Sequence, residues 1–169
     1  MMSTGRALAI LAAVITVIAL YSGLALWLGV KDSWVGFLFL TQWTVVDGGK
    51  VTQLPRTVLG ALSGMTTALI PSLLSPHLGY GPAMAVMLSL VLVTVFLFIA
   101  GRASQVINAA TMIFLTVVSI PEITTHAAPA DLFMGFALGL AYFGGLGFVG
   151  SLFAKFSKGR SPDPQSAET

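Results

Sequence analysis

Apolar and polar residues do not alternate along this chain; apolar residues come in long blocks parted by short polar breaks. The first block, Ala7 to Val30, is apolar on nearly every side and ends at Lys31-Asp32-Ser33, where Asp32 or Ser33 is placed to cap the next helix. The second, Ser33 to Val46, is shorter. Thr41, Gln42 and Thr44 interrupt it, and Asp47-Gly48-Gly49-Lys50 closes it. The third starts at Pro55, which suits a first helical turn, and reaches Leu74. Thr57, Gly60, Gly64, Thr67 and Pro71 fall on one of its faces, and Pro71 is expected to bend or end it. The breaker-rich SPHLGYGP follows.

The fourth block, Ala83 to Ala100, has no coherent polar face and is expected against lipid. The fifth, Ala103 to Ile120, carries Ser104, Asn108, Thr111 and Ser119 within an arc of about 80° on a helical plot. The sixth, Ala130 to Phe153, is rich in glycine and should be buried, because glycine weakens a helix that lacks neighbours. Gly60 with Gly64, and Gly135 with Gly139, make two small-xxx-small faces for close helix packing.

Runs of about 20 apolar residues cross about 30 Å of hydrocarbon when helical. Composition agrees with that reading. Of 169 residues, 56% are hydrophobic and 8% charged, against about 25% charged in an ordinary soluble domain. The expected fold is all-α: a polytopic membrane helix bundle with six transmembrane helices. It forms one domain over residues 1–154, and 155–169 is a polar, Pro-containing tail expected to be disordered and cytoplasmic. The first apolar run is too long for a signal-peptide core and reads as a transmembrane helix.

Charge supplies the topology. With six spans and a cytoplasmic N-terminus, Arg6, Lys50, Arg56, Arg102, Lys155, Lys158 and Arg160 lie inside and only Lys31 lies outside. That is the positive-inside pattern of a bacterial inner-membrane protein with both termini in the cytoplasm. A re-entrant second block would move the later loops across and destroy the bias, so the short second block is expected to cross. Three helices per half also allow two inverted repeats, blocks 1–3 and 4–6, with the second and fifth corresponding and the third and sixth corresponding.

The chemistry on offer is neutral. Thr41, Gln42, Thr44, Asn108 and Thr111 can both donate and accept hydrogen bonds, which suits a polar solute path; the same groups also serve to bond helix to helix. Asp47, Gly48, Gly49, Lys50 and Arg56 would form an inner mouth, or Asp47 to Lys50 a plain turn with its charges in water. No acidic residue is expected at mid-membrane, which favours a passive route over proton coupling. Cysteine is absent, so disulfides and thiolate chemistry are excluded. There is no phosphate-binding loop, serine-hydrolase elbow or metalloprotease motif, so no enzyme, metal or cofactor is expected. The basic residues sit at helix ends rather than in a stripe, which does not suggest nucleic acid.

Ser33-Trp34-Val35-Gly36-Phe37-Leu38, followed by Gly48-Gly49 and a Gly-bearing third helix, resembles a family of small bacterial inner-membrane proteins known only as a domain of unknown function. More distantly, the span from Trp34 to Pro121 is similar to the membrane half of the FUSC (fusaric acid resistance) exporters. Arg56, Gly60 and Gly64 stand where those have Arg-x-x-x-Gly-x-x-x-Gly. The resemblance implies an oligomeric, transport-type membrane protein with no catalytic residues. The expected function is a homo-oligomeric channel or facilitator for a small polar solute, urea- or amide-like. A FUSC-like exporter of organic acids and a non-transporting membrane scaffold are the alternatives.

Overall fold

The computed structural model of the chain describes residues 3–158, and all regular structure among them is helical. Helix α1 spans Thr4–Trp27. Helix α2, Trp34–Thr41, is prolonged by a π turn, Gln42–Val46. A short 3-10 turn, Val51–Gln53, leads into α3, Leu54–Ala68. Helices α4 (Ile70–Leu78) and α5 (Tyr80–Ile99) follow. Then come α6 (Ala109–Val118), α7 (Pro121–His126) and α8 (Pro129–Gly139). A second π turn, Leu140–Gly144, joins α8 to α9, Gly145–Lys158. The rest of the expected tail, 159–169, lies outside the described residues.

Among the described residues, four helical stretches are long and apolar enough to cross a membrane: Thr4–Trp27, Val51–Leu78, Tyr80–Ile99 and Pro129–Phe153. Trp34–Val46 and Ala109–Val118 are apolar but shorter. The break expected near Pro71 falls at Leu69, with Pro71 in the first turn of α4.

The boundaries depart from the sequence pattern in three places. The fifth block becomes helical at Ala109, not Ala103. Gly101 and Ala103 take left-handed φ values of 64° and 56°, which end α5 and hold the chain in turns up to Asn108. Ser104 is therefore in a turn, and the polar arc drawn through it does not exist. Second, α4 runs on past Leu74 and through Pro76, and stops only at Gly79, where φ is 82°. Third, the Gly-rich sixth block is buried only up to Gly144. From Gly145 onward most of it is exposed, and a β-carbon at Gly145 or Gly150 would meet nothing.

Two parallel helix pairs make the centre. In the first, Gly135 of α8 lies against the Asp32 carbonyl, and Gly139 lies against the Gly36 Cα. Both chains advance the same way, so α2 and α8 run parallel. In the second, Gly60 of α3 lies against the Asn108 side chain, and Gly64 against the Thr111 carbonyl and the Leu115 amide. Helices α3 and α6 are parallel for the same reason. The pairs run opposite to each other. The end of α2 meets the start of α3, where Thr57 Oγ1 donates to Asp47 Oδ2 at 2.5 Å. The starts of α2 and α8 meet at the other end, where Lys31 pairs with Asp131 at 3.5 Å. Phe136 joins the pairs, edge-on to Phe39 (centroids 5.6 Å apart) and to Phe114 (5.7 Å).

Two pairs of helix starts and two glycine pairs share an offset of 75 residues. Trp34 and Ala109 open α2 and α6, and Leu54 and Pro129 open α3 and α8. Gly60 and Gly64 map onto Gly135 and Gly139, and Phe39-Leu40-Thr41 onto Phe114-Leu115-Thr116. Helix α1 docks on the outside through Tyr21, whose Oη donates to the Ser33 carbonyl at 2.7 Å and whose ring contacts Phe37 and Phe143. Most other α1 side chains, and those of α5, are exposed and apolar.

Candidate functional site

Val35, Phe39, Gln42 and Trp43 recur at helical spacing, and all four are buried. That spacing turns Gln42 inward although it is polar. The π turn around it widens the helix by one residue, a feature often found at functional sites. Beyond it the chain folds back. The Gly49 amide donates to the Trp43 carbonyl at 2.8 Å, and Trp43 Nε1 donates to the Lys50 carbonyl at 3.0 Å. This reversal needs left-handed backbone at both Gly48 (φ 66°) and Gly49 (φ 65°), which glycine adopts without a steric penalty. Asp47 to Lys50 is thus a tight turn, and it carries Asp47 back to the protein.

Asp47 is half-buried, and its Oδ2 gathers two donors: Thr57 Oγ1 at 2.5 Å and Gln42 Nε2 at 3.4 Å. Thr57 Oγ1 also lies 3.1 Å from the Gln53 carbonyl, so one hydroxyl proton serves two acceptors. Gln42 is 1% exposed, and its Oε1 has no hydrogen-bond partner among the described residues. Leaving such an acceptor unsatisfied costs about 1–3 kcal/mol. Gln42, Asp47 and Thr57 therefore form a polar cluster of carboxylate, hydroxyl and amide with one unmet oxygen.

The five side chains expected to line a path are not brought together. Thr41 and Thr44 are exposed and bond back to the Phe37 carbonyl (2.9 Å) and the Leu40 carbonyl (2.7 Å). Thr44 faces an apolar groove of about 470 Å³ between α1 and α2, lined also by Val14, Val17 and Phe143. Asn108 and Thr111 are buried and fully engaged in a capping box. Asn108 Oδ1 accepts from the Ala110 amide at 2.9 Å, and the Asn108 amide donates to Thr111 Oγ1 at 3.0 Å. Thr111 Oγ1 donates to the Val106 carbonyl at 2.7 Å, and Asn108 Nδ2 donates to the Arg56 carbonyl at 2.9 Å. These two residues start a helix and bind it to α3.

Of the expected inner mouth, Lys50 is exposed in a cleft of about 530 Å³ shared with Thr52, Ser151 and Lys155. Arg56 turns toward the loop before α6, its Nε donating to the Ser104 carbonyl at 3.0 Å. Gly60, Gly64, Gly135 and Gly139 do pack helices, all within the one chain. Thr57 is legible in the sequence only as part of the small-residue face of α3; its place in the first turn of α3, near the Asp47 turn, is the signal that points to it.

Compared with protein families, with curated proteins and with solved structures, the chain matches none.

Proposed function

We propose that this chain is a six-crossing bacterial inner-membrane protein with cytoplasmic termini, and that it acts as a channel or facilitator for a small polar solute of the urea or amide kind. The course of α2 supports six crossings. It starts beside the Lys31–Asp131 pair and ends beside Thr57, at the opposite end of the parallel pairs. A re-entrant hairpin would return its end to its beginning. The stretch Trp34–Val46 is about 20 Å long as helix, so its crossing needs a locally thin bilayer or ends buried in protein.

The 75-residue offset supports two inverted repeats, because exchanging the halves exchanges the α2–α8 pair with the α3–α6 pair. Inverted repeats with broken helices are a common architecture for transporters, whose sites form at the breaks. Here the breaks are the two π turns and Leu69. The Gly60/Gly64 and Gly135/Gly139 faces, from which self-association is expected, are filled inside the chain. The unit of function in this reading is therefore the single chain, and the scaffold alternative loses its interface. The organic-acid exporter is also less well supported. The buried cluster offers a carboxylate, the wrong sign for an anion, and Arg56 is held by Ser104.

The observation that carries the proposal is Gln42: a buried amide with an unmet oxygen in a broken helix. Purified protein in liposomes should pass urea or small amides faster than protein-free liposomes, and Gln42→Leu should slow that flux. Wild-type permeability equal to that of protein-free liposomes across a solute panel overturns it.

A further inference from the structure

We propose that Asp47, Thr57 and Gln42 form a binding site for a small monovalent cation. Asp47 is half-buried, and among the described residues no cationic side chain pairs with it. The two basic residues nearest it in sequence are turned elsewhere: Lys50 is exposed, and Arg56 Nε is given to Ser104. A carboxylate held partly out of water without a counter-charge favours a cation beside it.

The remaining groups are oxygens. Thr57 Oγ1 sits on Asp47 Oδ2, and the Gln53 carbonyl lies 3.1 Å from that hydroxyl. Gln42 is awkward in either amide orientation. With Nε2 toward Asp47 it makes only a 3.4 Å bond, and Oε1 is orphaned. Turned over, its oxygen would face the carboxylate, an arrangement that a cation between them would hold. Oxygen-only ligands suit hard cations. Asp47 is the one carboxylate in this cluster, and it balances one positive charge. The amide and the hydroxyl are particular to this half, because 75 residues later Val117 and Leu132 stand where Gln42 and Thr57 stand here, while Glu122 stands in the place of Asp47.

The site uses the same cluster as the transport proposal, but its test is a binding measurement in detergent with no flux, so each can fail alone. The full chain is unfolded thermally in sodium, potassium or ammonium chloride, titrated against N-methylglucamine chloride at constant ionic strength. At least one of the small cations should raise the Tm along a saturating curve, as a ligand of the native state must. Asp47→Asn should abolish the shift and Gln42→Leu should weaken it, while Asp131→Asn, at the opposite end, should keep it. Identical wild-type unfolding in all four salts overturns the proposal, and needs no variant to fold. A shift that survives in Asp47→Asn also overturns it.

Discussion

The two parallel pairs solve one packing problem with different chemistry. Between α2 and α8 the approach is backbone on backbone, since Gly139 meets Gly36 and neither carries a side chain. The Tyr21 hydroxyl fills the remaining space beside Gly36. Between α3 and α6 the groove at Gly60 instead receives the amide of Asn108, a polar group made tolerable by bonds to Arg56 and Ala110. The halves differ again at the ends of α2 and α6. Gln42 and Thr57 stand beside Asp47 in one half, whereas at the same offset the other half has Val117 and Leu132 and keeps an acid, Glu122. Helix approach is therefore common to both halves and is set by glycine. The polar cluster is an addition to one half, which separates architecture from function.

Enlarging the glycines tests the shared part and should have the largest effect. A β-carbon at Gly64 would lie 2.8 Å from the Leu115 amide, and one at Gly139 would run into the Gly36 backbone. Backbone cannot step aside as a flexible side chain can. Gly64→Leu and Gly139→Leu should each cost about 3 kcal/mol or more, read as lost monodispersity and a collapsed thermal transition in detergent. Gly145→Ala and Gly150→Ala meet nothing and should instead stabilise by about 0.5–1 kcal/mol, since alanine is the better helix former. Equal losses at all four glycines would mean that close approach is not what the paired glycines provide.

The helix starts separate the two pairs. Ser33 and Asn108 occupy equivalent positions before α2 and α6, but only Asn108 makes side-chain cap bonds. Asn108→Ala should cost about 2 kcal/mol, the upper end for a lost cap, because it also removes the Nδ2 bond to the Arg56 carbonyl that ties α6 to α3. Ser33→Ala should change stability by less than about 0.5 kcal/mol. Chemical unfolding of the two variants side by side decides it, and equal costs would remove the distinction.

How much of this is legible in the sequence depends on how local the cause is. Long apolar blocks and the breakers around them gave α1 and α5 to within three residues and the start of α3 to within one, because burial and helix length act locally, whereas α3 ends six residues before the expected Leu74. Gly60, Gly64, Gly135 and Gly139 were readable as packing faces, but their partners were not: nothing local says that α3 meets α6 rather than another copy. The fifth block failed because its polar residues fit a helical arc equally well whether or not residues 103–107 are helical. A left-handed Ala103 is invisible in a hydropathy pattern, and Asn108 read as a solute ligand is in fact a cap. Thr41, Gln42 and Thr44 were grouped by closeness in sequence, although steps of 100° put Gln42 with Val35 and Phe39 and turn both threonines away. The helical period had that information, and it agrees with the observed burial.

The residue given the most functional weight should cost no stability when it is replaced. Gln42→Leu keeps a buried side chain of similar bulk, removes a bond of 3.4 Å, and removes the orphaned oxygen. Asp47 keeps its 2.5 Å bond from Thr57. Replacing an unsatisfied buried polar group by an apolar one is neutral or favourable, so the variant should be as stable as wild type or more stable by up to about 1 kcal/mol. Thermal unfolding in N-methylglucamine chloride, where no small cation contributes, measures this directly. At the same offset the other half has Val117, an apolar side chain in a half-buried place. A loss of about 2 kcal/mol would mean that the amide is structural, like that of Asn108, and the two halves would then differ only in which helix end they fasten. Unchanged stability together with lost flux or cation response separates Gln42 from the scaffold around it.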